Sequence, residues 1–369
     1  QITRVLSLSL TDILLLSARR RFAEGELERL QSSAAADLVD FVAEVEVAWY
    51  DNVSAGQVAA MREIVAKAAE QSAELAQRFF DAGNIDRLQL ERELAAAAQA
   101  RIDAVRAAAD VLRTRSALAT LLGLPLGAPW RTVEQLPAPP LVASDADSMV
   151  KLALDQRLDL VAARREVVLL EDALGVTRRW RWLGSVEVGY ERETEIDDIV
   201  LRGPSLSVEL PIFNQGQGAI ARARAELDAA RARLDGLALA VNNDASLGLE
   251  RLNVTREIAE RYRTALVPRR EAIVARSQEQ VNFMLIGVFE LIAAKQDEYD
   301  AYQEYLEAVR DYWVTRADLR RLVGGRLPDD SSAFEPVIGV ESILPSSDST
   351  AAPHHRHMNH EEHEHGDRP

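Results

Sequence analysis

Six histidines fall within one short stretch near the C-terminus, at His354, His355, His357, His360, His363 and His365, with Glu361, Glu362 and Glu364 among them. Imidazoles and carboxylates at this density bind borderline divalent metals such as zinc, cobalt or nickel. The surrounding run from Pro328 to Pro369 is rich in Pro, Ser, Asp and Glu and has no hydrophobic period, so it is expected to be disordered. Any metal held there is expected to bind loosely, without a preformed cage. A chance polar tail would look similar, whereas a purification tag would not be interrupted by Arg356, Asn359 and three glutamates. The rest of the chain is poor in reactive groups, with no histidine before His354 and no cysteine anywhere. A thiolate metal site and a cysteine nucleophile are excluded. No nucleophile–base set, phosphate-binding glycine loop or HExxH pair appears, so an enzyme is not expected.

The other groups of interest are carboxylates on alternating segments, and these require strands to position them. From Ser205 to Ile212, the apolar Leu206, Val208, Leu210 and Ile212 alternate with Ser205, Ser207 and Glu209. From Ser185 to Glu191, Val186, Val188 and Tyr190 alternate with Glu187, Gly189 and Glu191. Near the start, Leu6, Leu8 and Leu10 oppose Ser7, Ser9 and Thr11. A half-buried antiparallel sheet with its apolar face on a core has this pattern. So does a tilted membrane-barrel strand, which needs about ten residues. Trp180 and Trp182 precede the strand beginning near Gly184, and Phe213 closes the return strand. These aromatics suit a membrane-interface belt; ordinary packing at a helix–strand junction is the alternative.

The remainder has helical periodicity. Ile220, Ala223, Leu227, Ala230, Leu234, Leu237 and Val241 form a heptad seam. Ala98, Val105, Leu112 and Ala119, beside Ile102, Ala109 and Ser116, predict a second, alanine-rich seam. The stretches from Asp12 to Ala82 and from Phe213 to the Met284 region each predict a helix on the order of 100 Å long. Shorter helices return from them, the first over Leu88 to Leu122, and helix resumes from Ala146 to Leu174. Three landmarks recur in the same order. Leu6, Ser7 and Leu10 match Leu206, Ser207 and Leu210. Arg78–Ile85 falls where Val281–Val288 is expected. Leu121–Leu124 matches Leu322–Gly325. The chain thus reads as two copies of one unit.

Several motifs resemble the TolC-like outer-membrane efflux protein family. Gly203-Pro-Ser-Leu-Ser-Val-Glu-Leu-Pro-Ile-Phe-Asn-Gln-Gly216 is similar to its second-strand signature, and Arg78-Phe-Phe-Asp-Ala-Gly-Asn-Ile85 to its helix-tip turn. The run Asn282–Leu291, with Ala293–Gln296 and Ala308–Trp313, looks most like the cobalt–zinc–cadmium efflux branch. The resemblance covers roughly residues 5–325. It implies a mainly α fold with a small β part: long antiparallel coiled-coil helices joined to β-barrel strands, assembled as a homotrimeric channel in the bacterial outer membrane. It also implies a passive duct that works with a periplasmic adaptor and an inner-membrane resistance-nodulation-division pump. The helices and tail would then lie in the periplasm. The helix tips, Gly83, Asn84 and Ile85 with Asn282, Phe283, Met284, Leu285 and Gly287, would meet the adaptor and form the closable end; packing within each hairpin is the alternative use of their apolar residues. Glu187, Glu191 and Glu209 would line the lumen, and threefold symmetry would make each a carboxylate ring that favours cations. Simple solvation of a polar lumen is the other reading.

The expected organisation is a first repeat over 1–144, a second over 145–327 with a β-hairpin at about 184–213, and the tail at 328–369. The first-repeat counterpart of 145–202 would precede Gln1, so a further strand, about 55 residues and any leader or lipidated cysteine are expected ahead of it. The formal charge of −16 argues against nucleic-acid partners. No run of about 18 apolar residues offers a transmembrane helix; contact with membrane lipid would run through strands. No resident cofactor is expected beyond loosely held divalent metal on the tail. Divalent heavy-metal cations are the expected cargo, with drugs or other organic compounds as the alternative. A periplasmic adaptor or coiled-coil scaffold is disfavoured, because the many short strands of adaptor domains are missing.

Overall fold

The computed structural model describes residues 2–125, 127–140, 145–182, 186–194, 200–208 and 215–328. Strand β1 (Ile2–Ser9) runs directly into helix α1 (Leu10–Asp81), and α2 (Arg87–Leu121) returns alongside it. After the link at 127–140 come α3 (Ala146–Gln156), α4 (Leu158–Arg179), β2 (Val186–Thr194) and β3 (Val200–Val208). A second rod then follows, α5 (Gln217–Arg261), a π-helical turn (Tyr262–Leu266) and α6 (Val267–Asn282), with α7 (Val288–Leu322) returning along it.

The two long rods differ in one respect, and a proline explains it. Helix α1 runs 72 residues without a proline and without a break. In the second rod Pro268 sits at the start of α6. A proline inside a helix has no N–H to donate and its ring crowds the carbonyl four residues back. The π-helical turn absorbs this defect: the Val267 N–H reaches back five residues to the Tyr262 carbonyl, and the rod continues. The sequence expectation of one rod of about 70 residues is met in both copies, though the second is built in three pieces. The expected continuous helix from Ala146 is broken at Arg157, whose φ −65 and ψ 120 are extended. Asp159 holds the Arg157 guanidinium there at 2.6 and 3.1 Å and restarts the helix by accepting from the Leu160 N–H at 2.8 Å.

The core lies where the rods, α7 and the link converge. Tyr305, Met61, Leu136, Val309, Tyr312 and Trp313 are buried there, and the Trp313 indole donates to the Pro137 carbonyl at 2.7 Å. The link is thereby strapped to α7. A second cluster, Met149, Leu160, Val241, Leu249 and Leu319, packs α3 and α4 on α5 and α7. Along α4 and α5 the predicted heptad holds, with Leu227, Ala230 and Val241 buried and Ile220, Ala223 and Leu234 packed against them. Toward the tips the core thins to Ala69, Ala73 and Ala97, where small side chains bring α1 and α2 close together. Arg101 clamps the pair by reaching Glu63 at 2.9 Å and Glu70 at 2.7 Å.

The α2 seam needs correction. Ala97, Ala104, Ala107, Thr114 and Leu118 are buried against α1, whereas Ala98, Ile102, Val105, Ala109, Leu112 and Ser116 are exposed or edge positions outside that contact. Only Ala119 of the predicted rows is buried. The alanines let α1 approach closely and take the intramolecular face, which leaves the larger Ile102, Val105 and Leu112 exposed among the described residues.

The sheet order is β1-β2-β3, antiparallel throughout. Its limits also differ from the sequence reading. β1 stops at Ser9, so Leu10 opens α1; β2 extends to Thr194; β3 begins at Val200 and ends at Val208. Pro204 lies on β3, an edge strand of this three-stranded sheet, where a proline is tolerated more readily than on a central strand.

Candidate functional site

Two ends of the molecule carry the candidate residues. At one end is the sheet. Leu8, Val188 and Leu206 share a register row, as do Leu6, Tyr190 and Pro204. Leu6 is 80%, Tyr190 52% and Leu206 70% exposed. Of the two readings, a face resting on a core is not met: among the described residues no helix covers this face. Burying it would contribute about 25 cal/mol per Å², and the protomer leaves that unused. On the other face, Glu187 is exposed in a row with Ser9 and Ser207, and Gly189 sits between Ser7 and Ser205. Glu191 lies in the same-parity row with Val5 and Gly203. The two glutamates lie four positions apart along the strand, about 13 Å, so they occupy two levels rather than one cluster. Glu209 and Phe213 lie outside the described residues.

The junction ties sheet to rods. Thr11, in the first turn of α1, accepts the Val186 N–H at 3.0 Å. Trp180 ends α4 by donating its backbone N–H to Val176 at 3.0 Å and is half-buried. Trp182 is exposed, with the Arg181 guanidinium 4.7 Å from its ring centroid. Of the two tryptophans, Trp180 is half-buried where α4 ends and Trp182 is exposed.

At the opposite end are two tips, and they meet: Phe79 and Phe289 form an edge-to-face pair 6.0 Å apart. Both rods end in the same hydrogen-bonded reversal. Asn84 N–H donates to Phe79 O at 2.8 Å and Gly83 N–H to Phe80 O at 2.9 Å; Leu285 N–H donates to Gln280 O and Met284 N–H to Val281 O, both at 2.9 Å. The left-handed residue is Gly83 (φ 75) in the first and Met284 (φ 58) in the second. Equivalent positions are thus 201 apart, two fewer than the sequence alignment of Arg78–Ile85 on Val281–Val288 implies. Gly287 is not the positive-φ residue: at φ −76 it occupies the extended N-cap of α7, the place Asp86 has before α2. Asn282, Phe283, Met284 and Leu285 are exposed, whereas Ile85 and Ile286 tuck partly under their turns.

Three features were missed from sequence. Tyr302 on α7 donates to the Glu271 carboxylate on α6, and burial followed by that bond pushes the phenol well above its ordinary range. It stays a protonated donor that staples the second hairpin. Arg62 faces Asp300 at 3.7 Å and Arg320 pairs with Glu46, joining the two hairpins. These pairs span hundreds of residues, and no local pattern announces them. The π-helical turn had a local signal, Pro268 within a helical period.

The six histidines of the tail lie outside the described residues. Among the described residues, no cluster of three or more His, Cys, Asp or Glu could hold a metal ion, and no helix is long and apolar enough to cross a membrane.

Two long helical hairpins with a small antiparallel sheet at one end recur in solved structures of outer-membrane channels. The chain is similar to the Campylobacter jejuni CmeC outer-membrane channel (TM-score 0.69, 14% identity, covering 87% of this chain and 70% of that one). It is similar to the Vibrio cholerae outer-membrane protein VceC (0.70, 15%, 88% and 79%) and to CusC, described for folding and transmembrane channel formation (0.65, 16%, 88% and 77%). No protein-family model matches the sequence, and no curated protein matches it. The chain has the fold of outer-membrane channel proteins. At the level of fold this agrees with the TolC-like resemblance of the sequence.

Proposed function

We propose that this chain is one protomer of a homotrimeric outer-membrane duct. It passively conducts substrate delivered by an inner-membrane pump through a periplasmic adaptor, with helices and tail in the periplasm. The observation that carries this reading is the sheet with an uncovered apolar face and two open edges. Lipid suits such a face, but an open edge in lipid leaves backbone groups unpaired. Three strands cannot close on themselves, and joining sheets from three protomers into one barrel satisfies face and edges together. The exposed Ile102, Val105 and Leu112 of α2, and Leu247, Val254 and Ile258 of α5, support the same assembly. Their recurring seven-residue spacing suits knobs-into-holes packing between neighbouring protomers.

The proposed cargo is divalent heavy-metal cations of the cobalt, zinc, cadmium or nickel type. The histidine-rich tail and the rings that Glu187, Glu191 and Glu209 would form support it. The test is insertion of the purified full chain into planar bilayers, paired with metal challenge of a deletion strain. The expected result is a cation-favouring conductance that loses its preference when all three glutamates become Gln, and a strain sensitised to zinc, cobalt or cadmium. A strain sensitised only to organic compounds would replace the cargo while leaving the duct. A protein that never conducts would remove the duct. Zinc calorimetry on the full chain and on a chain ending at Pro353 is expected to place micromolar binding on the tail.

A further inference from the structure

Helix α2 carries Ala98, Ile102, Val105, Ala109, Leu112 and Ser116 at alternating spacings of four and three, and all six are exposed. That spacing is the seam of a coiled coil, here turned away from α1. The second rod carries an exposed stripe of its own, Leu247, Val254, Ile258, Leu266 and Ile273. Ile258 and Leu266 are eight positions apart, so in a continuous α-helix Leu266 would swing about 80° off the stripe. The π-helical turn at Tyr262–Leu266 takes up the extra residue and returns Leu266 and Ile273 to the side of Ile258. At the same place the rod opens an apolar groove of about 340 Å³, lined by Ile258, Tyr262, Ala265, Leu266 and the stems of Arg261 and Arg269. All of its lining belongs to this one rod; among the described residues, no other element closes it.

Helix α1 packs on α2 and α7, and α7 packs on the second rod, so the helices form a row with α2 at one edge and that rod at the other. Two unlike edges join head to tail, and such a join closes into a ring only without axial offset. Residues at equal height above the tips then meet. The tips share one level, where Phe79 meets Phe289. At 1.5 Å per residue, Ile102 and Leu266 both stand about 23 Å above them, and Leu112 and Ile258 about 37 Å. Val105, at about 27 Å, falls opposite the groove. The flanking charges are complementary at two of these heights, Asp103 with Arg269 at about 22 Å and Arg113 with Glu257 at about 38 Å. Arg106 and Arg261 share a height of about 30 Å, but each already holds a carboxylate of its own helix, Asp103 at 3.4 Å and Glu257 at 2.7 Å. We propose that the groove at the π-helical turn is the socket for α2 of a second copy, with Val105 seated in it, and that it fixes the axial register between protomers. The inference rests on the duct reading and adds the contact that aligns one protomer with the next.

The chain has no cysteine, so introduced thiols report on this contact alone. The full chain carrying Ile102→Cys with Leu266→Cys is oxidised in mild detergent and run on a denaturing gel without reductant. A disulfide needs Cα atoms within about 7 Å, and α1 and α7 stand between the two positions within one protomer. Covalent oligomers up to the trimer are expected. The pair Leu112→Cys with Leu266→Cys, about 13 Å apart in height, is expected to stay monomeric. A second measurement needs no thiol. Val105→Asp, and Ala265→Trp to fill the groove from the socket side, should each lower the trimer-to-monomer ratio in native mass spectrometry about tenfold or more. Both positions are exposed in the protomer, so its helicity by circular dichroism should not change. Linking in the shifted pair but not in the matched one overturns the proposal, and so do trimers of wild-type stability from both packing variants. Conductance of the unsubstituted chain separates the two levels of inference. A chain that forms trimers and conducts, but links only in the shifted register, removes the socket alone. One that stays monomeric and never conducts removes the duct and the socket together.

Discussion

At the first tip the Asn84 N–H spans 2.8 Å to Phe79 O around Gly83; at the second the Leu285 N–H spans 2.9 Å to Gln280 O around Met284. The hydrogen bonds are the same and the side chains are opposite in character. Gly83 and Asn84 give the first tip a small polar end. Phe283, Met284 and Leu285 give the second an apolar end, exposed by 77%, 92% and 73%. Methionine in the left-handed region costs roughly 1–2 kcal/mol relative to glycine, and exposing three large apolar side chains wastes burial energy as well. A turn under selection for stability alone would not accept both. On the proposed duct reading, the first tip is scaffold and the second is the surface offered to the adaptor.

The largest expected effect tests that division. Changing Phe283, Met284 and Leu285 together to Asp removes three side chains worth about 1.5–3 kcal/mol each when buried by a partner, so docking should weaken about 1,000-fold or more. A strain carrying this variant should be as metal-sensitive as the deletion, while the purified trimer melts at the wild-type temperature. Asn84→Asp, at the first tip, should leave tolerance intact. Equal tolerance from both variants would end the distinction between the tips.

Next in size is Gly83→Val. A β-branched residue at φ 75 should cost about 1–2 kcal/mol locally, read as faster amide exchange at Asn84 and the last turn of α1. Met284→Val should cost less, because the second tip already carries a non-glycine residue in that conformation.

The sequence made some of this legible and hid the rest for physical reasons. Helix lengths, the seam over Ile220–Val241 and the strand alternation were readable because periodicity is local. The tip register was misread by two residues, because the alignment matched apolar residues, Phe80 with Phe283, Ile85 with Val288 and Leu88 with Leu291, and so set Gly83 against Ile286 although Met284 shares its left-handed φ. Position in a turn, not residue type, sets equivalence. The α2 seam was misread because alanine and larger apolar residues occupy adjacent stripes, and only the distance to α1 decides which stripe is buried. The sheet's apolar face was correctly grouped, but whether a core covers it depends on elements hundreds of residues away. Of the candidate site, the exposed Phe283–Leu285 run was visible in sequence.

A smaller effect of opposite sign is expected from Met284→Gly. Removing the left-handed strain should stabilise the second turn by about 1 kcal/mol, slowing exchange of the Leu285 amide roughly fivefold. Docking should weaken at the same time, because the most exposed of the three apolar side chains is gone. Stability and partner affinity moving in opposite directions would locate the strain as serving the contact. If both rose, Met284 would be an accident of the turn.

The smallest effect asks whether the two tips share a scaffold as far as the start of the return helix. Asp86 precedes α2 at φ −83 and ψ 169, and its carboxylate accepts the Gln89 N–H at 2.8 Å. Gly287 precedes α7 at φ −76 and ψ 156, nearly the same backbone, but offers no side-chain acceptor. Replacing Gly287 by Asp should therefore supply the missing cap to the Glu290 N–H, which now reaches only the Gly287 carbonyl at 3.2 Å. Asp exceeds Gly at an N-cap by a few tenths of a kcal/mol, so exchange at Glu290 should slow about twofold. Glu290 itself adds a negative charge to that first turn; the helix dipole there favours acids, so the gain should survive the added carboxylate. An unchanged exchange rate with the turn intact would mean that the second tip departs from the first in backbone as well as in side chains, and the division into scaffold and surface would have to begin one residue earlier.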